Sequence, residues 1–160
     1  MANSRQNSGV TLVEMLVVLG IIVVLAGVVV TVTLRVDTQS KENALQNALA
    51  LVGSALREYY EVKGQFPSQA ERDSANALAH IEAMYQELHL VPAARQVLDK
   101  LSAGAVKNEG GSADLRSIRD PWGTVMDYVY LPGDTFPEVI SAGPDRQFGT
   151  GDDISNKGMR

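Results

Sequence analysis

The chain changes its hydrophobic rhythm twice along its length. From Val10 to Leu34 the 25 residues are mostly Val, Leu, Ile, Ala and Gly, and Glu14 is the one ionisable residue between Arg5 and Arg35. A helix rises ~1.5 Å per residue, and roughly 20 apolar residues cross a hydrocarbon core of ~30 Å. The stretch is long enough to span a bilayer. Further on the apolar positions thin to a stripe: Leu45, Leu49, Val52, Leu56 and Tyr59 recur at alternating intervals of four and three, which is one face of a helix. Lys41, Glu42, Gln46, Arg57, Glu58 and Glu61 fall largely elsewhere. No Pro interrupts Val10–Glu61, so the pattern predicts one continuous helix, about 78 Å long at ~1.5 Å per residue, half apolar all round and half amphipathic. Lys63-Gly64 followed by Phe66-Pro67 supplies its stop.

The remainder reads as two helices and then strands. Ser68–Leu90 carries Leu78, Ile81, Met84, Tyr85 and Leu88 at helical spacing, and Pro92 separates it from a second helix over Ala93–Ala103. Gly110-Gly111-Ser112 marks a flexible loop within Lys107–Ala113. Thr124–Leu131 alternates, with Val125, Val129 and Leu131 on one face and Met126, Tyr128 and Tyr130 on the other. Leu131-Pro132-Gly133-Asp134 then turns the chain into a returning strand, Phe136–Ser141. The D-P-W-G run Asp120–Gly123 is a turn, with Pro121 fixing φ, Gly123 admitting positive φ and Trp122 covering the core. The fold class is α+β: a long N-terminal helix packed on a small C-terminal antiparallel sheet, with extra helices between them.

Charge and cysteine content narrow the function. A formal charge of −5 with no cluster of Lys and Arg excludes nucleic acid as a main partner. There are no cysteines, so no disulfide closes the soluble part. The apolar run is too long for a secretory signal peptide, and the polar head before it carries only Arg5. His80 and His89 are nine apart with no Cys nearby, which is no metal spacing, and both read as ordinary surface or half-buried residues. No nucleophile–base pair, metal triad or phosphate loop stands out, so the chain is not read as an enzyme.

Glu14 is the anomaly that points to a class. A carboxylate in hydrocarbon costs several kcal/mol unless it is paired or lies close enough to the headgroups to snorkel. Around it the run S-G-V-T-L-V-E-M, Ser8–Met15, resembles the cleavage and methylation site of type IV prepilins and of the pseudopilins of type II secretion. The resemblance implies that a prepilin peptidase cuts after Gly9 and that the new N-terminal residue, Val10, is methylated. It also implies that Glu14 neutralises the terminal amine of an adjoining subunit during assembly. Val10 stands where the family usually has Phe, and Thr31 where it often has Pro. The G-x-[YF]-P turn at Gly64–Pro67, and D-P-W-G ahead of a Tyr-containing strand, also resemble the major pseudopilins.

The end of the chain holds one more constellation. Asp145, Asp152 and Asp153 cluster in a Gly-rich loop, Ser141–Ile154, with Arg146 its only basic residue. Such a loop offers the oxygen ligands Ca²⁺ takes, and it also reads as a solvated turn held by Asx hydrogen bonds. EF-hand spacing is absent. The loop is similar to the C-terminal calcium loop of major pseudopilins. Carried over, Asp145, Asp152 and Asp153 give side-chain oxygens, and Ala142 and Thr150 give carbonyls.

The resemblance thus implies a leader at residues 1–9, a transmembrane half at 10–34 and a periplasmic domain at 35–160. The expected protein is a pseudopilin, a filament subunit held once in the bacterial inner membrane. Its expected partners are further copies of itself, the prepilin peptidase, minor pseudopilins, the inner-membrane assembly platform and membrane lipid. A type IV pilus or competence pilin is the nearest rival, and a membrane-anchored monomeric calcium-binding protein is the alternative from another class.

Overall fold

A computed structural model describes residues 11–69, 71–108, 115–131 and 133–159, apart from the side chains of 28–36 and 159. The chain divides into two compact units, residues 1–40 and 41–160. The long helix α1 runs Leu12–Lys63 without interruption. It ends as the sequence predicts: Gly64 adopts φ +70° and its N–H donates to the Tyr60 carbonyl at 2.7 Å, a C-terminal turn that glycine accepts without penalty.

In the first unit the described side chains of α1, from Leu12 to Gly27, are all exposed. Leu12, Val13, Val23 and Val24 each show two thirds or more of their surface. Among the described residues no helix is long and apolar enough to cross a membrane. The expected span 10–34 lies partly outside that description, because Val10 and the side chains of 28–34 do.

The second unit is built on the amphipathic stripe. Leu45, Leu49, Val52, Leu56 and Tyr59 are all buried, three of them completely. They join a single hydrophobic cluster with Ile81, Met84 and Leu88, with Ile118 and Met126, and with Tyr128 and Val139. Each fully buried aliphatic side chain contributes about 1.5–3 kcal/mol relative to exposure, so this cluster is what holds the unit together.

The middle departs from the expected pair of helices. Residues 68, 69 and 71–73 are not helical; a 3₁₀ turn, Ser74–Asn76, precedes α2, Ala77–His89, and α3 is only Pro92–Leu98. Local side-chain bonds explain the late start. Glu71 accepts the Asp73 N–H at 2.7 Å and Asp73 accepts the Ala75 N–H at 3.0 Å, which offers the backbone an alternative to helix. Pro92 opens α3 rather than merely breaking its predecessor, since a missing N–H costs nothing at the first helical position. On α2 the face also differs from the pattern: Leu78 is 40 % exposed while His80 is buried.

Among the described residues two antiparallel sheets follow. A short pair joins β1, Val106–Lys107, to β2, Ser117–Ile118. The larger sheet has the order β3-β4-β5-β6, with β3 Asp127–Val129, β4 Glu138–Ser141, β5 Ile154–Ser155 and β6 Gly158–Met159. Tyr128 stands opposite Val139, and Ser141 opposite Ile154. The predicted hairpin is thus present with shorter strands, and the last two strands extend it beyond what alternation indicated. Gly110–Ser112 lies outside the described residues.

Candidate functional site

The first candidate site is the start of α1. Thr11 precedes the helix, and its hydroxyl accepts the Glu14 N–H at 3.2 Å. This is one half of a Thr-x-x-Glu capping box, which satisfies a backbone donor that the helix leaves unpaired. Glu14 is exposed in the first turn, where the helix dipole favours a negative charge. Gly9 and Val10 lie outside the described residues.

The second is the loop between β4 and β5. Pairing of Ser141 with Ile154 closes its base, so residues 142–153 emerge as one lobe. Inside it the carboxylates bind the loop's own donors. Asp152 accepts the Asp145 N–H through Oδ2 at 3.0 Å and the Thr150 hydroxyl through Oδ1. Asp145 accepts the Gln147 N–H at 2.8 Å, and Asp153 accepts the Gly149 N–H through Oδ2 at 2.8 Å. The Thr150 hydroxyl, followed by the Asp145 N–H, holds the Asp152 carboxyl below the usual carboxylate range. The backbone winds tightly enough for Arg146 to take φ 63°. Gly143, at φ +64°, approaches so closely that a Cβ there would sit 2.2 Å from the Asp152 carbonyl oxygen.

The structure brings Asp145, Thr150 and Asp152 into one network, sets Asp153 beside Gly149, and buries Ala142 completely at the loop's entry. Among the described residues no three acidic, His or Cys side chains converge in a ready-made metal cage. One atom stands out nonetheless: Asp153 Oδ1 is buried with no hydrogen-bond partner, which is costly unless a cation or water meets it. Three carboxylates and a hydroxyl in one loop are oxygen donors, the kind a hard divalent cation takes. The residues fit calcium in donor chemistry, with Asp153 Oδ1 the free acceptor.

The D-P-W-G turn is coupled to this loop. Asp120 is buried, and its Oδ1 accepts the N–H groups of Trp122 at 3.0 Å and Thr124 at 2.8 Å. Its Oδ2 accepts the Ser141 hydroxyl at 2.7 Å, and Ser141 Oγ in turn accepts the Gly143 N–H at 3.1 Å. Gly123 takes φ +90°, as expected of the turn. Sequence reading saw the turn but not the link to Ser141, because no spacing rule pairs residues 21 apart.

It also missed His80. The imidazole is buried, with Nδ1 2.8 Å from Asp127 Oδ1 and Nε2 3.0 Å from Glu71 Oε1. Asp127, also buried, sits in a strand that reads as apolar. A His at an inward position of α2 opposite the lone acid of β3 was the available signal.

A long helix that opens on a capped Thr-x-x-Glu, together with a small α+β head, defines the class: a pilin-like protein. Residues 4–30 match the prokaryotic N-terminal methylation motif. Over 162 aligned positions the chain is 31% identical to the type II secretion system core protein G of Escherichia coli (strain K12), covering 99% of this chain and 97% of that protein. The chain belongs to that family, the major pseudopilins, whose members are structural proteins and not enzymes. Among solved structures, none matches it.

Proposed function

We propose that the chain is a structural filament subunit of a bacterial type II secretion system. In this reading residues 10–34 cross the inner membrane once, and residues 35–160 lie in the periplasm. A prepilin peptidase removes residues 1–9, cutting between Gly9 and Val10. Copies of the mature chain polymerise through the N-terminal helix, together with minor pseudopilins on an inner-membrane assembly platform. Calcium, bound by Asp145, Asp152 and Asp153 with the carbonyls of Ala142 and Thr150, neutralises the C-terminal loop and stiffens it.

One observation carries the reading: the apolar half of α1 is exposed along its whole described length, and its single carboxylate, Glu14, stands in the first turn. An uncovered surface of that kind needs lipid or other helices around it. In lipid an isolated carboxylate is expensive, whereas one paired with a neighbouring subunit's terminal amine is not.

Replacing Glu14 by Ala tests this. Membrane insertion of Glu14→Ala is expected to persist, because the segment only becomes more apolar. Cross-linked multimers recovered from cells are expected to be lost. Wild-type amounts of multimer would show that the carboxylate merely reaches the headgroups. Processing is tested separately: the intact mass of membrane-extracted protein, in cells holding the peptidase, should lack Met1–Gly9 and carry one methyl group on Val10.

A further inference from the structure

His80 is a buried titratable group to which neither the helix nor the carboxylate loop gives a task. It fastens three parts of the head: α2, on which it sits, β3 through Asp127, and the segment before the 3₁₀ turn through Glu71. That segment is bound again just past the end of β3 by Gln69, whose Oε1 accepts the Tyr130 N–H at 2.8 Å.

The geometry provides for two proton counts. Both ring nitrogens face carboxylate oxygens, at 2.8 and 3.0 Å. A carboxylate only accepts, so both nitrogens must carry hydrogen for both bonds to exist, and the ring is then an imidazolium. A neutral ring donates from one nitrogen alone. Its other nitrogen becomes an acceptor, and the Gln69 amide, 3.2 Å from Nδ1, is placed to donate to it. The Gln69 amide is oriented for that, because its oxygen is taken by Tyr130. Asp127, almost wholly buried, is then left facing a lone pair.

We propose that His80 is a proton-operated lock: protonated, it clamps Glu71 and Asp127 to α2; deprotonated, it releases Asp127 and loosens the join between β3 and the segment bearing Gln69 and Glu71. The charges that bear on it most are those of Asp127 and Glu71. β2, which also packs on α2, contributes Ser117 and Ile118, neither of which titrates in this range.

The electrostatics agree in sign. Burial works against the imidazolium, but the bonds to Asp127 and Glu71 outweigh it and hold His80 above its ordinary 6.5. Glu71 is held below its ordinary 4.5, first by the Asp73 N–H and then by Asn76 and His80. A raised His contributes stability that is complete below the unfolded value and is lost as pH rises through the folded one. A lowered Glu contributes stability present above its unfolded value and lost as pH falls through the folded one. The lock is therefore tightest between about pH 4.5 and 6.5, the ordinary values of the two groups. It slackens on the alkaline side, as His80 gives up its proton.

The test is a pH titration of the full chain in detergent, with histidine rings isotopically labelled and His80 distinguished from His89 by His89→Gln. The His80 ring signal is expected to titrate above 6.5, and Glu71→Gln, a change on an accessible side chain, is expected to move that midpoint down. Exchange protection of the Tyr130 N–H, corrected for intrinsic base catalysis, is expected to fall as pH passes the midpoint. A His80 midpoint at or below 6.5 would overturn the proposal. So would a midpoint indifferent to Glu71→Gln, or Tyr130 protection that ignores the transition. None of these readouts requires removing His80.

Discussion

Gly143 shows how little room a single position leaves. Its φ of +64° and the 2.2 Å separation from the Asp152 carbonyl that any Cβ would meet both forbid a side chain. The left-handed conformation alone costs an Ala roughly 1–2 kcal/mol, and the overlap is with backbone, which cannot rotate away. Gly143→Ala is expected to lower the thermal midpoint of the 35–160 region by several degrees. Gly104→Ala, where a Cβ meets nothing, is expected to change stability by no more than about 0.5 kcal/mol, the usual range for a surface change. Melting both variants in chelator keeps any contribution from calcium out of the comparison. The phenol of Tyr59 is constrained too: burial, then its bond to Glu87, pushes it up to about 12. Its raised value gives stability present below 10 and lost as pH climbs toward 12.

Among the elements, α1 was the most legible, and for a plain reason. A 3.6-residue period sampled over four turns identifies its inner face unambiguously, and all five predicted stripe residues are buried. Leu56→Ala is expected to cost about 2–5 kcal/mol, as a fully buried Leu does, and Leu78→Ala less than about 1 kcal/mol, since Leu78 is 40 % exposed. Denaturant midpoints of the two variants check the ranking. The strands were legible as a hairpin but not in extent. β5 and β6 have two residues each, too few for alternation to register. The start of α2 was misplaced because Glu71 and Asp73 spend their carboxylates on nearby N–H groups, a choice that composition does not announce. His80 and Asp127 were invisible for the opposite reason: their burial depends on partners 47 residues apart, and a lone polar residue at an inward position carries no mark of its partner.

For the whole molecule, the motif around Gly9 and the family membership were readable from the sequence because both depend on residues at fixed spacing. The carboxylate loop at residues 142–153 was readable only as a set of oxygen donors. What it does to stability is open to measurement. Binding confined to the folded state adds RT ln(1 + [L]/Kd), about 2.7 kcal/mol at a hundredfold excess over Kd. A soluble fragment beginning at Arg35 is expected to melt higher in millimolar calcium than in chelator, and magnesium is expected to substitute poorly because it holds its waters in a tighter octahedral shell. Asp153→Ala, which removes the buried unpaired oxygen, and Asp152→Ala are each expected to abolish the gain, and Asp134→Ala in the hairpin turn to keep it. An unchanged wild-type midpoint in chelator would reduce the loop to a turn held by its own hydrogen bonds.

The shared core also sets an order of events during synthesis. Leu45, Val52 and Leu56 leave the ribosome long before Ile118, Met126, Tyr128 and Val139, with which they form one cluster. Contacts between residues so far apart cannot be made until the later ones exist. For most of translation the nascent chain therefore presents both an exposed apolar helix and an uncovered stripe. A chain interrupted anywhere before Val139 keeps both, and such surfaces aggregate or are taken up by chaperones and proteases. The last quarter of the message thus decides whether the stripe from Leu45 to Tyr59 is ever covered.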